Sequence, residues 1–282
     1  DIPHTAKRIV IQDLNPKSTV IKDSIIDTTF FIPLETTTSS LIGQIDELII
    51  TEKFIVVLDI YQTSGIYIFD RMGTFLQKIN QIGEGPGEFT QPTDIVMDQQ
   101  NDQILLLHGF PSKIMKYNTK GEFIEEIPLP MRFRSFSLLM DGSIVLVNEP
   151  AARKYGNPQG HFNEIFSKLV ILTPSGNAIY AGGPINRAYE ENIISNINFG
   201  IIENQGLVSF QPCFSDTIFR VVNYQVNPQF IFDFKEHKVI EKEVAGKTSD
   251  EYKEVGRLND YYRIYGRHSQ TDQFLVVTVH AM

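Results

Sequence analysis

Short apolar runs, cut apart by turn-forming residues, set the pattern of this chain. Phe54 to Leu58, Ile104 to Leu107, Ile144 to Val147, Leu207 to Phe210 and Phe274 to Val279 read as buried strands. Ahead of them stand further short strands, Glu47 to Ile50, Asp94 to Met97, Ser137 to Met140 and Phe199 to Ile202, set off by turns such as Asp141-Gly142. Downstream, the phrase Ile66-Tyr-Ile-Phe-Asp-Arg-Met-Gly73-Thr-Phe75-Leu-Gln-Lys-Ile79 returns as Ile114-Met-Lys-Tyr-Asn-Thr-Lys-Gly121-Glu-Phe123-Ile-Glu-Glu-Ile127, displaced by 48 residues. Each copy reads as a hairpin whose glycine supplies the positive φ of a tight turn. A third copy, Leu169 to Ile179, keeps its glycine at Gly176; a fourth, Ile218 to Ile231, has lost it. Its turn through Asn223-Tyr224-Gln225 is therefore expected to be longer or differently shaped.

A period of about 40 to 50 residues, with several strands and a turn glycine in each unit, marks a β-propeller. The expected fold is all-β, built from four-stranded antiparallel blades. Residues 1–29 read as an N-terminal extension or strands and residues 30–282 as a single propeller domain. Within it, residues 30–36 read as an outer strand that completes the last blade of a ring. About four and a half to five blades are visible, because the chain stops after the second strand of its fifth unit. The domain is expected to be truncated at its C-terminal end; weak repeats hidden in residues 1–29 or 233–262 are the alternative. Insertions fall at residues 148–168 and 233–262, the latter with a short helix over Asp250 to Arg257 capped by Ser249.

Composition agrees with strands. The 282 residues include 20 Phe and 11 Tyr but no Trp, and one domain of this length buries roughly three quarters of its unfolded surface. A net charge of −9, with no cluster of Lys and Arg, argues against nucleic acid, whose phosphates demand concentrated positive charge. No apolar run approaches the roughly 18 residues of a membrane span. The single cysteine, Cys213, has no internal partner for a disulfide and leaves the redox compartment open. The start at Asp1 leaves room for an upstream targeting segment.

The stretch Ile82-Gly-Glu-Gly-Pro-Gly-Glu-Phe89-Thr-Gln-Pro92-Thr-Asp-Ile95-Val-Met-Asp98, followed by an apolar strand and the Gly121 hairpin, resembles the blade consensus of NHL-repeat propellers. Together with Ile32-Pro-Leu-Glu-Thr36, it looks like the six-bladed propeller proteins of Bacteroides-type bacteria. The resemblance covers nearly all of residues 30–235. It implies six blades in a complete ring and an exported protein, periplasmic or outer-membrane-associated, with a lipid anchor upstream of this chain. It implies no assigned activity.

Three features bear on chemistry. Gly83-x-Gly85-x-Gly87 invites a phosphate reading, but Phe89-Thr-Gln-Pro92 starts no helix to hold an anion, so a turn between blades is favoured. The residue after each second strand is polar, namely Asp59, His108, Asn148 and Gln211, and propeller geometry would set all four around one mouth of the channel. They are candidate ligand contacts, weighed against ordinary polar strand ends. Arg153 and Tyr155, in the loop from Glu149 to His161, would clamp an anionic or sugar-like ligand on the same face. On the inner strands, Glu47 and Asp94 are the candidate metal ligands; Ca²⁺ needs six to eight oxygens and few are evident, so no cofactor is expected.

No G-x-S-x-G elbow, H-E-x-x-H motif or repeated Asp-box turn is present. The reading is a propeller that binds a protein or glycan in the cell envelope. Its alternative is a channel-mouth enzyme, a metal-assisted hydrolase such as a lactonase or a lyase, with Asp59, His108, Glu47 and Asp94 as acid, base or ligands.

Overall fold

The second strand of the first blade shows why the runs are continuously apolar. In Phe54–Asp59, Val56 and Leu58 point into one apolar cluster, while Ile55 and Val57 point into another. A strand covered on both faces gains nothing from polar alternation. The computed structural model describes residues 6–11, 28–148, 169–182, 201–204, 207–211, 215–244, 247, 249–270 and 275–281. Chain contacts divide it into two units, residues 15–129 on one side and residues 1–14 with 130–282 on the other.

The strands in chain order are β1 (Lys7–Val10), then β2 (Glu47–Ile50), β3 (Phe54–Asp59), β4 (Gly65–Asp70) and β5 (Phe75–Ile79) of the first blade. The second blade is β6 (Pro92–Asp98), β7 (Gln103–His108), β8 (Lys113–Asn118) and β9 (Phe123–Pro128). Both sheets are antiparallel meanders in sequence order. They share one core: Val56, Leu58, Ile66 and Ile68 pack with Ile95, Ile104, Leu106, Met115 and Tyr117. Each such side chain contributes about 1.5–3 kcal/mol by leaving water. Tyr117 keeps its hydroxyl satisfied there by donating to Gly87 O at 2.9 Å, and its ring lies edge-on to Phe89 and Phe123. The loop from Asn80 to Gln91 is thereby tied to the blade that follows it.

The other unit holds β10 (Phe133–Leu138), β11 (Ile144–Asn148), β12 (Leu169–Leu172) and β13 (Ala178–Gly182), then β14 (Ile201–Asn204), β15 (Leu207–Phe210), β16 (Thr217–Val222) and β17 (Gln225–Asp233). These are two more four-stranded antiparallel blades, and Val145, Val147, Leu169 and Ile171 of the first pack against Val208, Phe210 and Val221 of the second. A short 3₁₀ turn (Lys235–His237) and two helices, α1 (Glu241–Val244) and α2 (Ser249–Leu258), lead to the two-stranded sheet of β18 (Tyr262–Gln270) and β19 (Leu275–Ala281). The protein is thus all-β and of propeller type. The two-stranded sheet β18-β19 holds the apolar run of the fifth unit, and α2 matches the expected helix to within one residue at each end.

One local expectation is corrected and two are made specific. Residues 30–36 form no strand; the segment instead lies against the first blade. There Glu35 N–H donates to Gly73 O at 2.8 Å, the Glu35 carboxylate accepts from Phe75 N–H, and Ile32 and Leu34 pack beside Tyr67 and Phe69. In the N-terminal segment, expected as extension or strands, Lys7–Val10 forms a strand that pairs in parallel with β17 as the fifth of its sheet. Ile9 and Ile11 give it an apolar anchor, and Arg8 meets Asp233 at 2.9 Å. The turn that lost its glycine is indeed differently shaped, tighter and not longer: Val222 pairs directly with Gln225, and Asn223 and Tyr224 both take positive φ, 49° and 59°. Asparagine tolerates that conformation, which is the one a two-residue hairpin turn requires.

Candidate functional site

The four polar residues that end the second strands can be followed one by one. Asp59, at the end of β3, is fully buried. Its Oδ2 accepts from the backbone N–H groups of Gly43 and Gln44 at 2.9 and 3.0 Å; its Oδ1 accepts from Gln62 and Thr63 at 2.9 and 3.2 Å. Burial works to raise the pKa of this carboxyl, but the four backbone donors outweigh it and hold the group below the usual aspartate range. The loop from β3 to β4 and the chain entering β2 are fastened to one carboxylate.

His108 occupies the equivalent place in the second blade, at the end of β7, and is 3% exposed. Its Nε2 faces the backbone N–H groups of Thr90 and Gln91, both at 3.2 Å, and its Nδ1 lies 2.8 Å from Pro111 O. Because amides only donate and a carbonyl only accepts, the partners dictate a neutral ring with its proton on Nδ1. Burial is the main cause of a pKa below the ordinary histidine value, reinforced by Lys113 and opposed by the Pro111 carbonyl and Glu126. Gln211, buried after β15, repeats half of the arrangement by donating from Nε2 to Ser215 O at 3.0 Å. The Asn148 backbone pairs with Phe133 at the end of β11.

The chemical consequence is plain for the first two. An aspartate has about four lone-pair directions, and all four of Asp59 are engaged. His108 has neither a free proton nor a free lone pair in this state. Neither side chain is poised for proton transfer to a substrate.

The inner-strand carboxylates differ in setting. Glu47 is half-buried on β2 opposite Leu58, whereas Asp94 is buried on β6 and accepts from its neighbour Ile95 N–H at 3.0 Å. Among the described residues no three His, Cys, Asp or Glu side chains gather closely enough to hold a metal ion. Arg153 and Tyr155 lie outside the described residues. The glycine run of residues 83–87 carries its own anion: Glu88 Oε2 accepts from Gly85 N–H at 2.9 Å, and a side chain at Gly83 would collide with the same oxygen. An incoming phosphate would have to displace a carboxylate already in place.

Two residues that sequence reasoning passed over stand out. Tyr61 is 74% exposed and Phe110 72% exposed. Each lies two positions after the fastening residue of its blade, on the loop between the second and third strands, 49 residues apart. Their loops are firmly held, the first by the Asp59 carboxylate and by Ser64 Oγ donating to Ile60 O, the second by the His108 bond to Pro111. Exposed rings on rigid supports run against the ordinary burial of large aromatics. Extending the repeat by two positions past Asp59 and His108 would have found them.

Comparison with known proteins adds family and fold. A profile for a domain of unknown function, DUF4934, matches residues 7–281. Among solved structures, the chain is similar to a candidate exported protein from Bacteroides fragilis NCTC 9343, with 20% identity, a TM-score of 0.68, and 98% of this chain and 77% of that one covered. It is also similar to a DUF4221-family member from Bacteroides vulgatus ATCC 8482, with 15% identity, a TM-score of 0.56, and 84% and 70% covered. At these identities the likeness concerns the fold alone. The comparison with curated proteins finds no match.

Proposed function

The chain belongs to the DUF4934 family, and from that premise we propose that it is a binding protein of the cell envelope that grips a protein or glycan partner on the loops joining its second and third strands. The observation that carries this reading is the pair of exposed rings, Tyr61 and Phe110, at matching positions of adjacent blades. Rings fixed on hydrogen-bonded loops lose little conformational freedom on binding, which makes them efficient anchors. Burying each under a ligand is worth about 1.5–3 kcal/mol. Asp59 and His108 then act as supports beneath the surface. Gln211 likewise supports its own loop by donating to Ser215 O. The enzymatic alternative draws on Asp59 and His108, whose polar atoms are engaged by the backbone.

Export is supported by the Bacteroides fragilis neighbour, a candidate exported protein. No helix among the described residues is long and apolar enough to cross a membrane, and attachment through an upstream lipid anchor fits an envelope location.

The test is a glycan array and an envelope-protein binding screen with the wild-type chain, followed by titration of any hit against Tyr61→Ala and Phe110→Ala. The expected result is a hit whose affinity falls by about tenfold or more in each variant, with unchanged thermal stability. Equal affinity in both variants would overturn the assignment, and so would turnover of a lactone or glycoside that survives both substitutions.

A further inference from the structure

Asp59 and His108 perform the same fastening task with different chemistry. Each accepts two backbone N–H groups from the chain entering the first strand of its blade, Gly43 and Gln44 in one case, Thr90 and Gln91 in the other. A carboxylate keeps its acceptors through neutral and mildly acidic solution. An imidazole does not, because its single lone pair is also its site of protonation.

We infer that His108 is a pH-sensitive latch: protonation of Nε2 removes the acceptor of the Thr90 and Gln91 amides and frees the entry to β6, while the rest of the blade stays assembled. The geometry makes the release one-sided. The imidazolium keeps its Nδ1–H bond to Pro111 O, so the Phe110 loop stays held, whereas the new Nε2–H confronts two amide hydrogens. Gly109 N–H still donates to Gln91 O at 2.9 Å and serves as a pivot. With the ring 3% exposed, water does not take the place of the lost partners without movement of the loop.

The charged groups around the ring leave this balance in place. Lys113, opposite His108 on β8, opposes protonation, and Glu126 on β9 favours it; the two pair with each other at 2.7 Å. From β6, Asp94 lies two residues beyond Pro92, the cross-strand partner of His108, with its carboxylate bonded to Ile95 N–H. The ring's pKa is lowered, so the neutral, fastened form is the one the fold favours. The sign follows: the contribution of His108 is complete above its ordinary value near 6.5 and is lost as the pH falls below it toward the lower folded-state value. The latch rests on hydrogen bonding alone. Its role as an acid-responsive element of the binding surface rests further on the reading of Tyr61 and Phe110.

Residue-resolved amide exchange by NMR on the full chain tests it, with rates corrected for intrinsic pH dependence. Between about pH 7.5 and pH 5, protection at Thr90 and Gln91 should fall roughly tenfold or more. Gly43 and Gln44, fastened by Asp59, should hold their protection, as should Leu129, whose N–H donates to Ser112 O within the same blade. In His108→Asp, which copies the first blade, the pH dependence at Thr90 and Gln91 should vanish. Unchanged protection at those two amides in acid would overturn the latch, as would a loss shared with Leu129, which would mean that the blade unfolds as a whole. If His108→Asp does not fold, the comparison of amides within the wild type decides the matter alone.

Discussion

Replacing Asp59 with alanine removes one acceptor pair from each of two chain segments. Four N–H groups, at 2.9, 3.0, 2.9 and 3.2 Å, lose their partner together. Hydrogen bonds to a charged group contribute about 1.5–3 kcal/mol each, so a simple sum would reach roughly 6–12 kcal/mol. The true cost is smaller for two reasons. Gly43, Gln44 and Gln62 are exposed residues whose amides recover water once the loop relaxes, and removal of a buried charge also removes its desolvation penalty. A loss of about 3 kcal/mol at neutral pH is expected, comparable to breaking a buried ionic contact. Urea denaturation followed by far-ultraviolet circular dichroism measures it. The folded pKa of Asp59 lies below the ordinary 3.8, so its stabilisation is present above that value and is lost as the pH falls through the folded pKa. The gap between wild type and variant should therefore close in strong acid. An Asp59→Ala protein within about 1 kcal/mol of wild type at pH 7, or a gap indifferent to acid, would refute the fastening role.

Two further substitutions probe the blades themselves. Gly73 and Gly142 both take positive φ, 87° and 78°, but a Cβ at Gly73 would lie 2.1 Å from Pro33 O, whereas at Gly142 its nearest neighbour is Pro174 at 3.5 Å. Gly142→Ala should cost only the conformational penalty of about 1–2 kcal/mol, and Gly73→Ala clearly more by the same urea titration; equal costs would mean that residues 32–36 do not pack on the first blade as described. Tyr117→Phe deletes the donor to Gly87 O in a fully buried setting, with an expected loss of about 1–2 kcal/mol and faster amide exchange in the loop from Asn80 to Gln91; a neutral result would show that the loop is held without that bond.

The blades were legible because a strand buried on both faces records itself as an uninterrupted apolar run. Runs starting near Phe54, Ile104, Ile144, Leu207 and Phe274 became β3, β7, β11, β15 and β19 with little change at their ends. The glycine hairpins were equally readable, since positive φ at Gly73, Gly121 and Gly176 leaves few other residues to choose from. Where several residues satisfy one conformation, the form stayed open: the turn at Asn223-Tyr224 was readable, but not that it would be a tight two-residue turn without glycine. The candidate site was legible as positions and not as roles. Periodicity singled out Asp59 and His108, and a polar residue at a strand end reads as solvent-facing until its partners are known. Those partners lie up to 18 residues away in the chain.

The sequence by itself determined the repeat, the class of fold, the place of the second strands and the recurring polar position, because each depends on short-range pattern and on which side chains tolerate water. Only the tertiary structure decided where hydrogen bonds go. It showed Asp59 and His108 turned inward to backbone amides, Glu88 filling its own glycine loop, and residues 7–10 pairing with β17 across more than two hundred positions. It also left Tyr61 and Phe110 uncovered. Burial and partnership belong to the packed chain: an amide or a carboxylate has the same affinity for many partners, and the fold selects which one comes within 3 Å.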